Sequence, residues 1–498
     1  MNAPSDPIVG LAQRSLGVSY LYPYQRLVVG NTLDADEENR FQVVVLPTGS
    51  GKTLCFTLPM LVLEGVTVVV YPLLALIDDQ ARRVGEAGVT ARVLRGGQTS
   101  AEREAIYREV RQGRANCLLT NPEVLSGARV RQELGSVEVA HLVIDEAHCV
   151  SEWGTTFRPA YLSLAETIRL IRPRVVTAFT ATASKTVLES MCRELFGDAR
   201  PHLVLGDPDR PNISYSVVHA HSKEAALHAL LRCGVRQPAI VFCRSRKRCE
   251  GVARDLAPLV GFEHCAAYHA GLAADERAAI EEWFFLAPRG VLAATCAYGM
   301  GVDKPNIRTV IHYELPSSVE AFLQESGRAG RDRLQASSIV LWNSSEPPRE
   351  RDPTRAVRER IMHGYLRTLQ CRRTYLLEAM GAEPQMCFGC DRCDPEAEDA
   401  SIARARREMR TARETALRVA RRRRRIITAR QLALDLPLEW SQQARVELVT
   451  GLIRDGTLRT HRRGPWKGRI DCLRPAVPVT RRVDRPAKVD YVQIDSCE

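Results

Sequence analysis

The sequence predicts an α/β protein: two tandem parallel-sheet domains, then a small helical cysteine-bearing module and a compact, basic winged-helix-like domain. Three observations carry this reading. Short β-branched runs alternate with longer helical stretches, the alternation restarts after a proline-rich joint, and the excess positive charge is confined to the end of the chain. The chain has 498 residues, 45% apolar and 26% charged, with 32 Gly and 27 Pro. At ~100 to 200 residues per domain that means about three or four domains. The composition excludes a collagen, a coiled-coil rod and a mostly disordered chain.

The first domain, residues 1–206, takes its strands from Val43–Leu46, Val66–Tyr71, Cys117–Thr120, Leu142–Asp145 and Val175–Phe179. Helical stretches such as Leu73–Gly85 and Ala101–Arg111 separate them, and strands that alternate with helices build a parallel sheet. Thr57–Ile77 is apolar enough to imitate a membrane span, but it carries Glu64 inside and Pro59 and Pro72 near its ends. A helix followed by a buried parallel strand explains it better, so no membrane partner is expected. After the joint Asp207–Asn212 the rhythm resumes at Ala239–Phe242, His264–Tyr268, Val291–Ala294, Thr309–His312 and Ser338–Leu341, giving a second domain over residues 207–345.

Residues 346–400 form the module: a linker Glu346–Pro353, a helical stretch Thr354–Met380 ending at Gly381, clustered cysteines, and the acidic run Asp394–Asp399. Residues 401–498 open on Arg-rich Ile402–Arg425, which is either a helix lying over phosphates or a solvated linker. Ile426–Leu434 and Ser441–Gly456 read as short amphipathic helices, the second through Val446, Val449, Leu452 and Ile453. Strands around Gly464–Gly468 within Thr457–Leu473 complete the helix, helix, hairpin order of a winged helix.

Charge follows this division. Residues 1–345 hold 37 basic and 37 acidic side chains, residues 346–400 hold 9 and 11, and residues 401–498 hold 24 and 11. A localised basic surface attracts phosphates by counterion release. Only seven basic residues are Lys, so a biased coding composition could also produce the Arg excess. Fifteen scattered cysteines do not make a disulfide framework, and Met1–Gly17 lacks a charged segment followed by an apolar core. The expected setting is reducing and cytoplasmic, on the nucleoid in a bacterium.

Chemistry concentrates in three places. Pro47-Thr48-Gly49-Ser50-Gly51-Lys52-Thr53 follows a strand and opens a helix, with Leu46 where a strict phosphate loop has Gly. Its glycines let backbone N–H groups reach phosphate oxygens, Lys52 would reach the β- and γ-phosphates, and Thr53 would bind Mg²⁺. The plain alternative is a Gly-rich turn capping a structural helix. At a strand end stands Asp145-Glu146-Ala147-His148. Asp145 suits the metal and Glu146 the attacking water, although a helix start favours acidic residues anyway. Cys371, Cys387, Cys390 and Cys393 can place four thiolates around one Zn²⁺ at ~2.3 Å, an iron–sulfur cluster being the alternative. The other cysteines, Cys149 and Cys296 among them, read as buried thiols.

Over roughly residues 18–400 the chain resembles the RecQ-type DNA helicases of helicase superfamily 2. Besides the loop, the blocks that carry the resemblance begin with Tyr71–Leu76, Asp145–Gly154, Thr180-Ala181-Thr182-Ala183 and Asp209–Ile213. They continue with Tyr268–Leu272, Tyr298–Pro305 and Gln324–Asp332. The resemblance implies two RecA-like lobes that close on ATP, with Arg331 as an arginine finger and Arg328 beside it. Such a finger is worth about 10³ to 10⁵ in rate. It implies that Trp153, Phe157 and Arg158 belong to an aromatic-rich loop coupling DNA to hydrolysis, stacking being worth roughly 1 to 3 kcal/mol per base; core packing is the other reading of these rings. It places Gln25, in Leu21–Gln25, at the adenine edge, although Leu21 and Tyr22 stand where the family commonly has an aromatic residue then Arg. It makes Trp466 the tip of a duplex-splitting hairpin or, alternatively, part of a phosphate contact.

The resulting expectation is an ATP-dependent DNA helicase moving 3′-to-5′ on single-stranded DNA and opening duplex or forked DNA, with ATP, Mg²⁺ and Zn²⁺. Two rivals are a superfamily 2 translocase or RNA helicase that leaves DNA duplexes closed, and a zinc-dependent DNA-binding protein with a vestigial ATPase. The intact Lys52, Glu146 and Arg331 oppose the last. Biological pathway, oligomeric state and protein partners have no signature in the sequence.

Overall fold

The computed structural model describes residues 7–47, 49–72, 74–150, 159–161, 163–295, 304–343, 353–394, 399–461 and 467–472. They fall into two compact units, Met1–Asp209 and Arg210–Glu498.

The first unit is built on seven strands: β1 (Phe41–Val45), β2 (Val66–Val70), β3 (Ala91–Val93), β4 (Cys117–Thr120), β5 (Val139–Ile144), β6 (Val175–Thr180) and β7 (His202–Leu205). Their order is β3-β4-β2-β5-β6-β1-β7, every pair parallel. Helices cover both faces, so the strands need apolar residues at every position, which is why they read as continuous runs. The two-residue period shows in the packing. Val68, Val70, Leu142 and Ile144 join one core while Val69, Val143 and Leu119 join the opposite one. The expected strands are present, and the two that sequence reasoning missed are the edges β3 and β7. Leu203 and Leu205 of β7 are exposed, so no apolar pattern marks it. The Thr57–Ile77 stretch divides into the end of helix Lys52–Met60, β2 and the start of helix Leu74–Glu86. Among the described residues no helix is long and apolar enough to cross a membrane.

The second unit carries β8 (Ile213–His219), β9 (Ala239–Phe242), β10 (Cys265–Tyr268), β11 (Val291–Ala294), β12 (Thr309–His312) and β13 (Ala336–Trp342). These form a parallel sheet in the order β10-β11-β9-β12-β13-β8. Strand β8 was not anticipated: Ser214 and Ser216 interrupt its apolar run, yet it pairs with β13 over seven positions. The segment expected as one helical stretch to Met380 is two helices, Pro353–Arg367 and Arg372–Met380. The second ends, as expected, at Gly381, whose φ of 82° suits a left-handed cap.

The Arg-rich segment departs from the linker reading. It is a 23-residue helix, Ala400–Arg422, with a buried stripe on its other side. Ile402, Ala405 and Met409 pack with the second sheet's layer, and Ala412, Ala416 and Ala420 pack with the terminal domain. That domain contains helices Ala429–Asp435 and Gln442–Arg454 and an antiparallel pair, β14 (Leu458–Thr460) and β15 (Ile470–Cys472), the expected winged-helix order. Within Gln442–Arg454 the buried face is Leu448, Val449 and Leu452, whereas Val446, assigned to it from spacing, is 40% exposed.

Candidate nucleotide and metal sites

Helix Lys52–Met60 starts from Gly51, which has no side chain to cap it; the Leu54 N–H donates to the Gly51 carbonyl at 3.1 Å, and the N–H groups of Lys52 and Thr53 precede it in the first turn. Gly49 and Gly51 hold φ values of 85° and 78°, which a residue with a Cβ adopts only under strain. A Cβ at Gly51 would also lie 2.5 Å from Gln25 Nε2. Gln25 is buried and braces the loop: its Nε2 donates to the Ser50 carbonyl at 2.8 Å, and its Oε1 accepts the Tyr22 N–H at 3.0 Å. Both ends of the amide expected at the adenine edge are thus engaged within the protein. Tyr22 stacks on Tyr24 with centroids 5.4 Å apart, and Tyr20 packs edge-on against Tyr22 at 5.5 Å. This aromatic row stands where the sequence departs from the family pattern. Thr48 lies outside the described residues.

Leu46, entering the loop, donates its N–H to Thr180 at the end of β6. Asp145 donates to Val70 of β2, and Ala147 to Phe179 of β6. The acidic motif and the loop therefore share the carboxyl end of one sheet, where parallel α/β folds bind ligands. Burial and the adjacent Glu146 push the Asp145 carboxyl up to about 6, with the Lys52 ammonium pulling it down. A carboxylate so penalised in its charged form suits an oxygen-seeking divalent cation such as Mg²⁺.

Glu146 sits at φ 49°, a strained backbone for a residue with a side chain. His148 holds it from the side: Nδ1 lies 3.4 Å from Glu146 Oε2 and 3.0 Å from Thr180 Oγ1. The Thr180 hydroxyl donates its one hydrogen to the Thr182 carbonyl at 2.9 Å, so its oxygen accepts from His148 and assigns the imidazole proton to Nδ1. Two blocks widely separated in sequence, Asp145–His148 and Thr180–Thr182, thereby become one hydrogen-bonded unit.

In the second unit, Arg210–Ile213 and Gln324–Asp332 also clasp each other. Arg210 donates to the carbonyls of Gly327, Ala329 and Gly330, and Asn212 Nδ2 donates to Gly330 at 2.8 Å. Gly330 turns at φ 57°, where a Cβ would lie 2.4 Å from Asn212 Nδ2. The preceding helix, Val319–Ser326, is anchored through Glu325 and Ser326 to the buried ring of His312. Arg328 is 3% exposed and Arg331 partly exposed, so of the two Arg331 has the better access to a ligand.

The sulfur ligand atoms of Cys371, Cys387, Cys390 and Cys393 all lie within 4.8 Å of one another, with 4.0 Å between Cys371 Sγ and Cys390 Sγ. Four sulfurs around one ion at ~2.3 Å would be about 3.8 Å apart, so the cluster fits a single tetrahedral metal. Burial opposes ionisation of Cys371, but hydrogen bonds from Thr374 and the neighbouring thiols bring it down to about 7.

Beside the cluster is a feature that sequence reasoning missed. Asp391 accepts from both Nε and Nη2 of Arg372, from Arg406 Nη2 at 2.5 Å and from the Val217 N–H at 3.1 Å. It thus ties the cysteine module to β8 and to the Arg-rich helix. Arg372 and Arg373 are 1% and 0% exposed, and Arg373 donates to the carbonyls of Arg210 and Ile213. The signal was present: a basic pair directly after one ligand cysteine and an acid directly after another.

Of the remaining cysteines, Cys55, Cys117, Cys149, Cys243 and Cys249 are buried as expected, but Cys192, Cys233 and Cys265 are partly exposed. Cys296, Trp153, Phe157, Arg158 and Trp466 lie outside the described residues.

Comparison with known proteins fits this geometry. The DEAD/DEAH box helicase family matches residues 22–190, and the helicase conserved C-terminal domain matches residues 222–333. The ATP-dependent DNA helicase RecQ of Pasteurella multocida is 31% identical over 419 residues, 81% of this chain and 66% of that protein. The probable ATP-dependent DNA helicase RecS of Bacillus subtilis is 37% identical over 304 residues, 60% of each chain. This chain spans just under two thirds of the length of the curated RecQ proteins it matches, 66% and 61% for the first two. Two solved structures share the fold. The DUF1998 helicase MrfA bound to DNA has a TM-score of 0.59 at 19% identity, covering 96% of this chain and 64% of that one. Saccharomyces cerevisiae Dbp5 bound to RNA and ADP BeF3 has 0.57 at 14%, covering 80% and 97%. With the loop and the acidic motif on one sheet end, both family domains in order and RecQ relatives at about 30% identity across most of its length, the chain belongs to the RecQ-type family of superfamily 2.

Proposed function

We propose that the protein is an ATP-dependent DNA helicase that travels 3′-to-5′ on single-stranded DNA and opens duplex or forked DNA. The observation that carries this is the shared sheet end, where a helix start without a side-chain cap and Lys52 can receive phosphates and Asp145 and Glu146 lie alongside. The backbone N–H groups of Gly49–Thr53 and the Lys52 ammonium hold the β- and γ-phosphates, and Gln25 keeps the loop open beneath them. Thr53 and Asp145 are the residues that would hold Mg²⁺, which would supply positive charge beside the phosphates. Glu146, oriented by His148, positions the attacking water and accepts its proton. Arg331, with Arg328 supporting the turn, is the arginine finger of this assignment and supplies positive charge to the transferring phosphoryl group.

The four cysteines would hold a structural Zn²⁺, and four thiolate ligands suit a metal that supports the fold. Trp153, Phe157, Arg158 and Trp466 contact DNA, and the protein works in the cytoplasm, on the nucleoid if its source is bacterial. The four parts of this assignment follow residues 1–206, 207–345, 346–400 and 401–498. Glu146→Gln tests the catalytic core: it should retain ATP binding while steady-state hydrolysis falls by about 10² or more. Turnover equal to that of the native protein would remove Glu146 from its role.

A further inference from the structure

The second unit holds a cavity of about 520 Å³ between β8, the cysteine module, the Arg-rich helix and the terminal domain. That is the size range of small-molecule sites. Arg406, Arg410 and Arg413 reach it from one face of the helix Ala400–Arg422, at the spacing of successive turns. In all, five arginines line the wall against two carboxylates, Asp391 and Glu414. Asp391 is already satisfied by Arg372 and Arg406, so the wall keeps a positive surplus that an anion would balance.

The remaining lining is aromatic. Trp342 is braced by the His219 ring, with centroids 5.0 Å apart, and the Trp440 indole N–H donates to Glu408 at 3.4 Å, which fixes its ring. His221 lines the same cavity at 5% exposure and makes no ring hydrogen bond, although the Asp455 carboxylate lies 3.4 Å from Nε2. Gly451 permits this close packing, since a Cβ there would come within 2.9 Å of the imidazole. Guanidinium groups that bind phosphate, indole faces that stack on a base and an imidazole with unused polar atoms are together the complement of a nucleotide.

We propose that this cavity binds one nucleoside monophosphate unit, its phosphate on Arg410 and Arg413 and its base against Trp342 and Trp440. The site is distinct from the phosphate loop, which belongs to the other unit. The unit could come from a free nucleotide or from a DNA strand, and both present the same chemistry. Occupancy of this cavity does not require helicase activity.

The test is calorimetric titration of dTMP into the full chain saturated with Mg²⁺ and AMP-PNP, which occupies the phosphate loop. The native protein should bind one dTMP per chain, inorganic phosphate should bind far more weakly, and Arg410→Ala with Arg413→Ala should weaken dTMP by about tenfold or more. The doubly substituted protein should keep its melting temperature and its DNA-free ATPase rate. Displacement of dTMP by a (dT)10 strand would identify a strand nucleotide as the occupant, and failure to displace it a free nucleotide; either agrees with the proposal. No dTMP binding, equal binding by the arginine variant, or phosphate binding as tightly as dTMP would overturn it.

Discussion

Replacing Asp391 with Asn removes one negative charge from a point where two arginines and a backbone N–H converge. The Asp391 and Arg372 side chains are only 4% and 2% exposed, so little water is available to replace the lost carboxylate. Breaking a buried ion pair by neutralising one partner costs about 3 to 5 kcal/mol, because the remaining charge stays buried. In a unit of this size, at about 2 to 4 °C per kcal/mol, the melting transition of the second unit should fall by about 10 °C. Burial pushes the Asp391 carboxyl up, but the hydrogen bond and charge of Arg372, with help from Arg406, hold it below the usual carboxylate range. Its native pKa therefore lies under the unfolded value of about 3.9. The stabilisation is complete above that pH and lost as pH falls through the native value. Calorimetric scans of native protein and Asp391→Asn should differ fully at pH 7 and converge below about pH 4. Adding Arg372→Met should recover part of the loss, since the pair is then removed together. Equal melting temperatures at pH 7, or a gap that widens in acid, would refute this account of the junction.

Other outcomes follow from the same geometry. Gly51→Ala forces φ 78° on a residue with a Cβ and drives that Cβ against Gln25; the backbone alone costs about 1 to 2 kcal/mol, so KM for ATP should rise about tenfold in steady-state assays, and an unchanged KM would contradict the bracing role of Gln25. His148→Ala should lower kcat by about 10-fold to 100-fold while leaving nucleotide affinity nearly intact, because it positions Glu146 without touching phosphate; a loss confined to KM would refute that. Cys390→Ser should abolish one bound metal per chain by elemental analysis and destabilise the second unit, whereas full metal content would remove Cys390 from the ligand set.

Much of the architecture was legible because parallel strands buried on both faces must be apolar at each position, and Val66–Val70 and Leu142–Ile144 show this plainly. Edge strand β7 and serine-bearing β8 were not legible, since one escapes burial and the other fills alternate positions with small polar groups. The Arg-rich helix was ambiguous for a related reason: its buried stripe is mostly small residues, with Ile402 and Met409 its only large apolar side chains, and small side chains give a weak hydrophobic signal beside so many guanidiniums. For the site, the four cysteines could be picked out from local spacing and the structure gathers them, and the glycine loop before Lys52 and the acidic string at Asp145 are short-range patterns of the same kind. The bond from His148 to Thr180, and the convergence of Arg372 and Arg406 on Asp391, depend on strand order and helix packing. No local window contains those partners together.

The proposed function requires that nucleotide hydrolysis in this protein drive strand separation with a fixed direction. The most direct measurement follows ATP hydrolysis and duplex opening together on substrates carrying a single-stranded tail at either the 3′ or the 5′ end. Single-stranded DNA should stimulate hydrolysis and the 3′-tailed substrate alone should open, with both activities lost in Glu146→Gln. Absence of hydrolysis with every DNA, or opening that proceeds only from a 5′ tail, would contradict it.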